Sequence, residues 1–294
     1  MDPLELVDLH PLTARSQGRA EIALALIDGP VALDHADLSG ARIREIPGGP
    51  DVSCLRLESV ACMHATFVAG ILVARRGCPA PAICPGCTLI VRPIFTESTS
   101  QNSLMPSATP EELAKAIVQV VDAGAKVINV SAALVQASSK AERRLADVLE
   151  YTASRGVLVV AAAGNQGSVG SSALTRHPWL IPVVGCDRDG RPLAESNLGS
   201  SIGRQGLRAS GENITSLGTS GKTQTFGGTS AAAPFVTGAI ALLWSEFPSA
   251  RAADLKLAIT RCGHQPPNQL VPPLLDAWAA YQALASAHQG RKAS

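Results

Sequence analysis

The chain has 294 residues, of which 46% are hydrophobic and 17% charged, a balance that excludes disorder and can supply one large core. The formal net charge is +1, so nothing directs the chain to nucleic acid or to an anionic membrane surface. Aromatic residues make up only 3%, so the core must be built from Ala, Val, Leu and Ile, which favours closely packed helices on a sheet.

The first twenty residues carry acids and lack a continuous apolar core, unlike a signal peptide. They are expected to form an N-terminal extension, and the setting is expected to be cytoplasmic. No apolar stretch is long enough to span a bilayer, so no membrane partner is expected. Residues 22–27, Ile-Ala-Leu-Ala-Leu-Ile, read as a buried strand that ends at Asp28. Residues 64–74 read as a helix with Phe67, Ile71 and Ala74 at helical spacing. Residues 88–95 read as a strand, with Pro93 marking an end or a bulge. The polar segment 96–109 is expected to be a surface loop. A helix then starts with a strong signal: Thr109 caps, Pro110 suits the first turn, Glu112 completes a capping box, and Gly124 stops it. Residues 127–130 are a buried strand. Ser139 and Glu142 mark a second capping box, on a helix ended by Gly156. Residues 157–161 and 180–184 are further strands, and the run from Ala231 to Trp244 is a buried helix.

Strands of continuous apolar character that alternate with helices predict an α/β fold: three layers, a mostly parallel central sheet, and helices on both faces. One domain is expected over residues 1–294, with 290–294 a frayed tail. Reactive groups of such sheets gather at the carboxyl ends of the strands, and Asp28 and Asn165 both fall there. The chain has 7 cysteines, an odd count that does not suggest a complete disulfide framework. Cys78, Cys84 and Cys87 cluster without a fourth zinc ligand at suitable spacing, so free thiols or a local disulfide are expected and no metal is assigned.

Several residues stand out chemically, and each alone has a plain structural explanation. Ser230 lies in Gly227-Gly228-Thr229-Ser230-Ala231-Ala232-Ala233-Pro234, at the opening of the buried helix. A helix N-terminus favours negative charge, which suits a tetrahedral oxyanion, although Ser is also an ordinary cap. His64 opens an apolar helix, where most histidines are structural. Asp28 and Asn165 sit where turn residues are common. Their joint order is the informative feature: acid, base and nucleophile follow one another as Asp28, His64 and Ser230, each at an element boundary in a small-residue context.

Here the chain resembles the subtilase family of serine peptidases. Ile27-Asp28-Gly29-Pro30-Val31 is similar to the family's Asp block, and His64-Ala65-Thr66-Phe67-Val68-Ala69-Gly70 to its His block. Val127-Ile128-Asn129-Val130-Ser131 resembles the strand that lines the substrate cleft, Ala163-Gly164-Asn165 the oxyanion block, and Gly228-Thr229-Ser230-Ala231-Ala232-Ala233-Pro234 the Ser block. The resemblance implies a catalytic triad of Asp28, His64 and Ser230, with Asn165 and the Ser230 backbone N–H holding the oxyanion. It implies a peptide substrate lying extended beside Ser131, Ala132 and Ala133, with Ala162, Ala163 and Gly164 forming one wall of the specificity pocket. It implies no cofactor; calcium is common in the family, but no ligands can be assigned here.

The chain departs from the family at three places. Gly29 and Pro30 follow Asp28 where Ser or Thr and then Gly are usual. Ala65 and Phe67 stand where Gly and a second His are usual, and Ser131-Ala132-Ala133 replaces Ser-x-Gly. No reacting group is lost. The Asp28-Gly29-Pro30-Val31 string is similar to that of the leader-cleaving proteases of cyanobactin-type peptide biosynthesis, the PatA-like group, which implies a precursor peptide as substrate. The alternatives are a peptide macrocyclase, a non-catalytic peptide-binding protein on the same fold, and a secreted degradative protease. Macrocyclases of this kind carry an added helical element between the Asp and His blocks, and the separation of 36 positions from Asp28 to His64 leaves little room for one.

Overall fold

Val7, Leu9 and Leu12 are fully buried, so the N-terminal extension packs against the body of the protein. The computed structural model describes residues 2–47, 53–95, 108–131, 139–261 and 270–292. In chain order the elements are α1 (His10–Arg15), β1 (Ala23–Asp28), a 3-10 turn (Ala36–Leu38), β2 (Arg42–Glu45), α2 (Val60–Val73), β3 (Thr88–Pro93), α3 (Pro110–Asp122), β4 (Val127–Val130), α4 (Ser139–Ser154) and β5 (Leu158–Ala162). They continue with α5 (Ala173–Arg176), β6 (Leu180–Cys186), α6 (Ser200–Gln205), β7 (Leu207–Ser210), β8 (Ile214–Leu217), β9 (Thr223–Phe226), α7 (Thr229–Glu246), α8 (Ala252–Arg261) and α9 (Ala277–Lys292).

Seven of the nine described strands form a sheet in the order β2-β3-β1-β4-β5-β6-β7, every neighbouring pair of which is parallel, and β8 and β9 form a separate antiparallel pair. The pleat sends successive side chains to opposite faces. Leu24, Leu26, Leu89, Val91, Val127, Val160 and Val183 therefore pack with Phe67, Ile71, Phe235 and Leu242 of α2 and α7. Ala25, Ile27, Ile90, Ile128, Val130 and Val159 pack with Leu113, Ile117, Val120, Leu145 and Leu149 of α3 and α4. This is the three-layer arrangement expected from the sequence.

The local signals explain most boundaries. Thr109 and Glu112 exchange both hydrogen bonds of a capping box at α3, and Gly124 leaves that helix at φ +92°. Gly156 does the same for α4 at φ +64°. The second capping box falls partly on residues whose side chains lie outside those described, as do residues 96–107 of the polar segment. Helix α2 starts four residues before His64, because the Ser59 side chain accepts from the Cys62 backbone N–H and caps it there. Helix α7 is buried through Ser245, so it has no polar face for a periodicity argument to find. Its small residues admit close neighbours: a Cβ on Gly238 would lie 2.6 Å from Ile83 Cγ2.

Candidate active site

The carboxyl edge of the sheet delivers the predicted residues. Asp28 is the last residue of β1, Ser131 follows β4, and Asn165 lies three residues past β5. Helix α2 brings His64 to the end of β1, and α7 brings Ser230 to His64. Two backbones must meet for this: a Cβ on Gly29 would lie 2.2 Å from the Ala61 carbonyl oxygen. That contact accounts for glycine after Asp28, where the family usually carries a side chain. Ala32 N–H also donates to Thr66 Oγ1 at 2.9 Å, tying the loop after β1 to α2.

His64 Nδ1 lies 3.0 and 2.9 Å from the two Asp28 carboxylate oxygens, and His64 Nε2 lies 2.9 Å from Ser230 Oγ. A carboxylate only accepts, so Nδ1 carries the proton, Nε2 accepts, and the Ser230 hydroxyl donates. The Gly29 N–H donates a further 2.7 Å bond to Asp28 Oδ1. Asp28 and His64 are 0% and 3% exposed, and Ser230 8%, so bulk water screens the relay little. Phe226 flanks the imidazole at 6.1 Å between ring centroids and meets the buried Phe67 edge-on at 5.1 Å. Phe67, at the position of the family's second histidine, thus braces Phe226, and Phe226 in turn flanks His64.

Ser230 is the second residue of α7, within the first four whose N–H groups have no intrahelical partner. The cap position is Gly228, at φ +93° and ψ −172°, a conformation open in practice to glycine alone. Asn165 faces this turn. Its Oδ1 accepts from both the Thr229 N–H and the Thr229 hydroxyl, each at 2.9 Å. Two donors fix the amide orientation and turn Nδ2 the other way. Thr229 Oγ1 in turn accepts from the Gly164 N–H at 3.2 Å. The sequence reading quoted Thr229 only as part of the Ser block, and a partner 64 residues away gives no local signal. It missed Asn197 altogether, whose side chain bonds the loop that carries Asn165.

Ser131 is buried, and its hydroxyl accepts from Asn129 Nδ2 at 2.9 Å, while Asn129 Oδ1 accepts from Thr237 of α7 at 2.9 Å. β4 is not an edge strand, because β1 and β5 pair with its two sides through Val130. Beyond Val130, the Ser131 N–H still donates to the Ile27 carbonyl at 3.4 Å. Ala132 and Ala133 lie outside the described residues. Ala162 ends β5, Ala163 is buried and donates its N–H to the Val183 carbonyl, and Gly164 turns the chain at φ +105°.

Cys78, Cys84 and Cys87 are free thiols, one of the two expected states, while the pairing of Cys54 with Cys62 has no counterpart in the sequence reading. Cys62 forms a disulfide with Cys54, so it is not a free thiol beside His64. Cys78, Cys84, Cys87 and Cys186 are free among the described residues. Burial pushes the Cys84 thiol up, whereas a hydrogen bond from Cys84 holds the neighbouring Cys87 down. No group of three or more His, Cys, Asp or Glu among the described residues is placed to hold a metal ion. No helix among them is long and apolar enough to cross a membrane.

Residues 19–268 match the model of the subtilase family, peptidase group S8. The chain belongs to the subtilase family. Among curated subtilases it is 27% identical to mycosin-4 of Mycobacterium tuberculosis over 90% of this chain and 64% of that protein. It is 31% identical to a thermophilic serine proteinase of Bacillus sp. strain AK1 over 79% of this chain and 54% of that one, and so spans well under the full length of either. Subtilisin DY of Bacillus licheniformis is 26% identical over 86% and 87% of the two chains. Solved structures include a mutant of the protease domain of PatA, at TM-score 0.82 and 28% identity, covering 92% of this chain and 97% of that domain. The prenylagaramide maturation protease PagA matches at TM-score 0.82 and 27% identity, over 94% and 98%.

Proposed function

We propose that this subtilase is a serine endopeptidase that matures a precursor peptide by removing its leader. The observation that carries the peptidase reading is the single imidazole held between Asp28 and Ser230, at 2.9 Å on both sides. Ser230 Oγ attacks the peptide carbonyl carbon and passes its proton to His64 Nε2. Asp28 accepts from Nδ1 throughout and stabilises the imidazolium. The oxyanion takes the Ser230 N–H and Asn165 Nδ2. His64 returns the proton to the amine nitrogen as the C–N bond breaks, leaving an ester on Ser230. Water, deprotonated by His64, then attacks the ester and releases the carboxylate. Substrate pairs with the backbone from Ser131 onward, and Ala162, Ala163 and Gly164 wall the pocket for the side chain before the scissile bond.

The precursor-peptide part rests on PatA and PagA, which are 27–28% identical to this chain along nearly their whole domains, PagA bearing the name of a maturation protease. A PatG macrocyclase structure shares the fold at TM-score 0.80, but at 20% identity that likeness extends to the fold alone. The test is incubation of the purified enzyme with casein and with candidate precursor peptides, read by mass spectrometry. One dominant cut at a leader boundary is expected. Rapid unselective digestion of casein overturns the maturation role, and a product lighter than the hydrolysed fragment by one water establishes the macrocyclase instead.

A further inference from the structure

The loop that carries Asn165 is thin on packing. Residues 165–171 are exposed, and Gly164 and Gly167 bend it at φ +105° and +60°. Apolar burial therefore does not fix its shape. A half-buried side chain from another segment, Asn197, brackets it instead. Asn197 Oδ1 accepts from the Gln166 N–H at 3.1 Å, the Ser168 N–H at 3.0 Å and the Ser168 hydroxyl at 2.9 Å. Its Nδ2 donates to the Ala163 carbonyl at 3.2 Å and to Gln166 Oε1 at 2.7 Å. Its backbone N–H donates to the Gly164 carbonyl at 2.9 Å. One planar amide thus grips backbone groups on both sides of Asn165, at residues 163, 166 and 168.

The fit is tight at Gly164. A Cβ on Gly164 would lie 2.4 Å from Asn197 Nδ2, so the left-handed glycine and the amide occupy one fitted place. On the opposite flank Thr229 holds the Asn165 side chain through Oδ1 and accepts from the Gly164 N–H at 3.2 Å. The two supports differ in reach: Thr229 turns the amide and touches the backbone at Gly164 alone, whereas the Asn197 side chain holds the backbone at residues 163, 166 and 168, on both sides of Asn165.

We propose that Asn197 is a positioning residue for the reaction: it holds the Asn165 loop so that Asn165 Nδ2 meets the oxyanion in the transition state. The proposal rests on the reading of Asn165 as an oxyanion donor. It follows that Asn197 contributes through Asn165 and not through substrate affinity. Donors matter at the oxyanion's position rather than at the ground-state carbonyl, and small misplacements of such groups are costly.

Loss of the bracket should leave the fold intact. Backbone bonds between the two segments remain, from Gly167 N–H to the Glu195 carbonyl, Leu198 N–H to Ser168 and Gly170 N–H to Leu198. Asn197→Ala is expected to lower kcat by about 10–100-fold with KM within twofold. Inhibition by a peptide boronate, whose adduct on serine is tetrahedral, should weaken by a similar factor. The deciding comparison is the pair of backgrounds. In Asn165→Ala, the added Asn197→Ala should cost less than about twofold, because the donor it positions is already gone.

Should Asn197→Ala fold poorly, Gln166→Ala removes one of the bracket's bonds at an exposed position and should show a smaller kcat loss with the same dependence on Asn165. Losses that multiply in the double variant overturn the proposal. So does a raised KM with kcat intact, which would make Asn197 a support of the pocket wall, and so does an unchanged kcat in both Asn197→Ala and Gln166→Ala. A wild-type kcat in Asn165→Ala alone overturns the oxyanion reading itself, and is distinguished by involving no change at Asn197.

Discussion

Gly228→Ala is the most discriminating perturbation of the site, because two independent features of the structure oppose it. The backbone at φ +93° and ψ −172° excludes a Cβ on conformational grounds, at a cost of about 1–3 kcal/mol. The added Cβ would also lie 2.8 Å from Asn165 Nδ2 and 3.0 Å from Oδ1, roughly 0.7 Å inside ordinary contact for the closer atom. The side chain that yields is the proposed oxyanion donor, and loss of one such donor costs about 10²–10³ in kcat. Gly221→Ala is the control. Gly221 also has positive φ, +72°, but nothing lies within 4 Å of its Cβ position at the β8–β9 hairpin tip. Gly221→Ala should lose only about 1–2 kcal/mol and keep its turnover, whereas Gly228→Ala should lose more stability and lose turnover as well. The assay is steady-state hydrolysis of one peptide beside thermal melts of both proteins. A folded Gly228→Ala enzyme with the kcat of the wild type, or a Gly221→Ala enzyme equally slowed, refutes the reasoning.

Asn165→Ala should lower kcat by about 10²–10³ with little change in KM, and a change confined to KM would make Asn165 a binding residue. Reduction of the Cys54–Cys62 disulfide, which joins residues only 8 apart, should cost about 2.5 kcal/mol of stability in denaturant titrations. Cys62→Ser should nevertheless keep most activity, since Ser59 still caps α2; abolished turnover in a folded variant would contradict that. Cys186 is fully buried, donates to the Ala209 carbonyl, and has its thiol pushed up to about 12 by burial. It should resist iodoacetamide at pH 8 in the native protein and react in denaturant, as peptide mapping would show; equal labelling in both states would refute a closed core there.

The elements read most accurately from the sequence are those with local physics. The Thr109–Glu112 capping box, the stops at Gly124 and Gly156, and the continuous apolar runs of β1, β4 and β6 each report on their own few residues. Asp28, His64 and Ser230 were legible for a different reason, since their order and surrounding small residues are a pattern over the whole chain. What stayed hidden depends on long-range contact. The start of α2 follows from Ser59, a polar residue before the apolar run. The hairpin β8–β9 is short and half-exposed, with no strong alternation. The Cys54–Cys62 pairing, the Thr229 bonds to Asn165 and the Asn197 bracket join residues that the sequence spaces without any repeat or motif. The centrality of β4 likewise emerges only from strand order.

If His64 and Asp28 make Ser230 a nucleophile, a fluorophosphonate probe should find it. Treated with the probe and digested, the native protein should yield one modified peptide, carrying the phosphonyl group on Ser230. Labelling should vanish in Ser230→Ala and fall by orders of magnitude in His64→Ala, with both variants folded. Modification of another serine, or labelling of Ser230 undiminished without His64, would contradict that role.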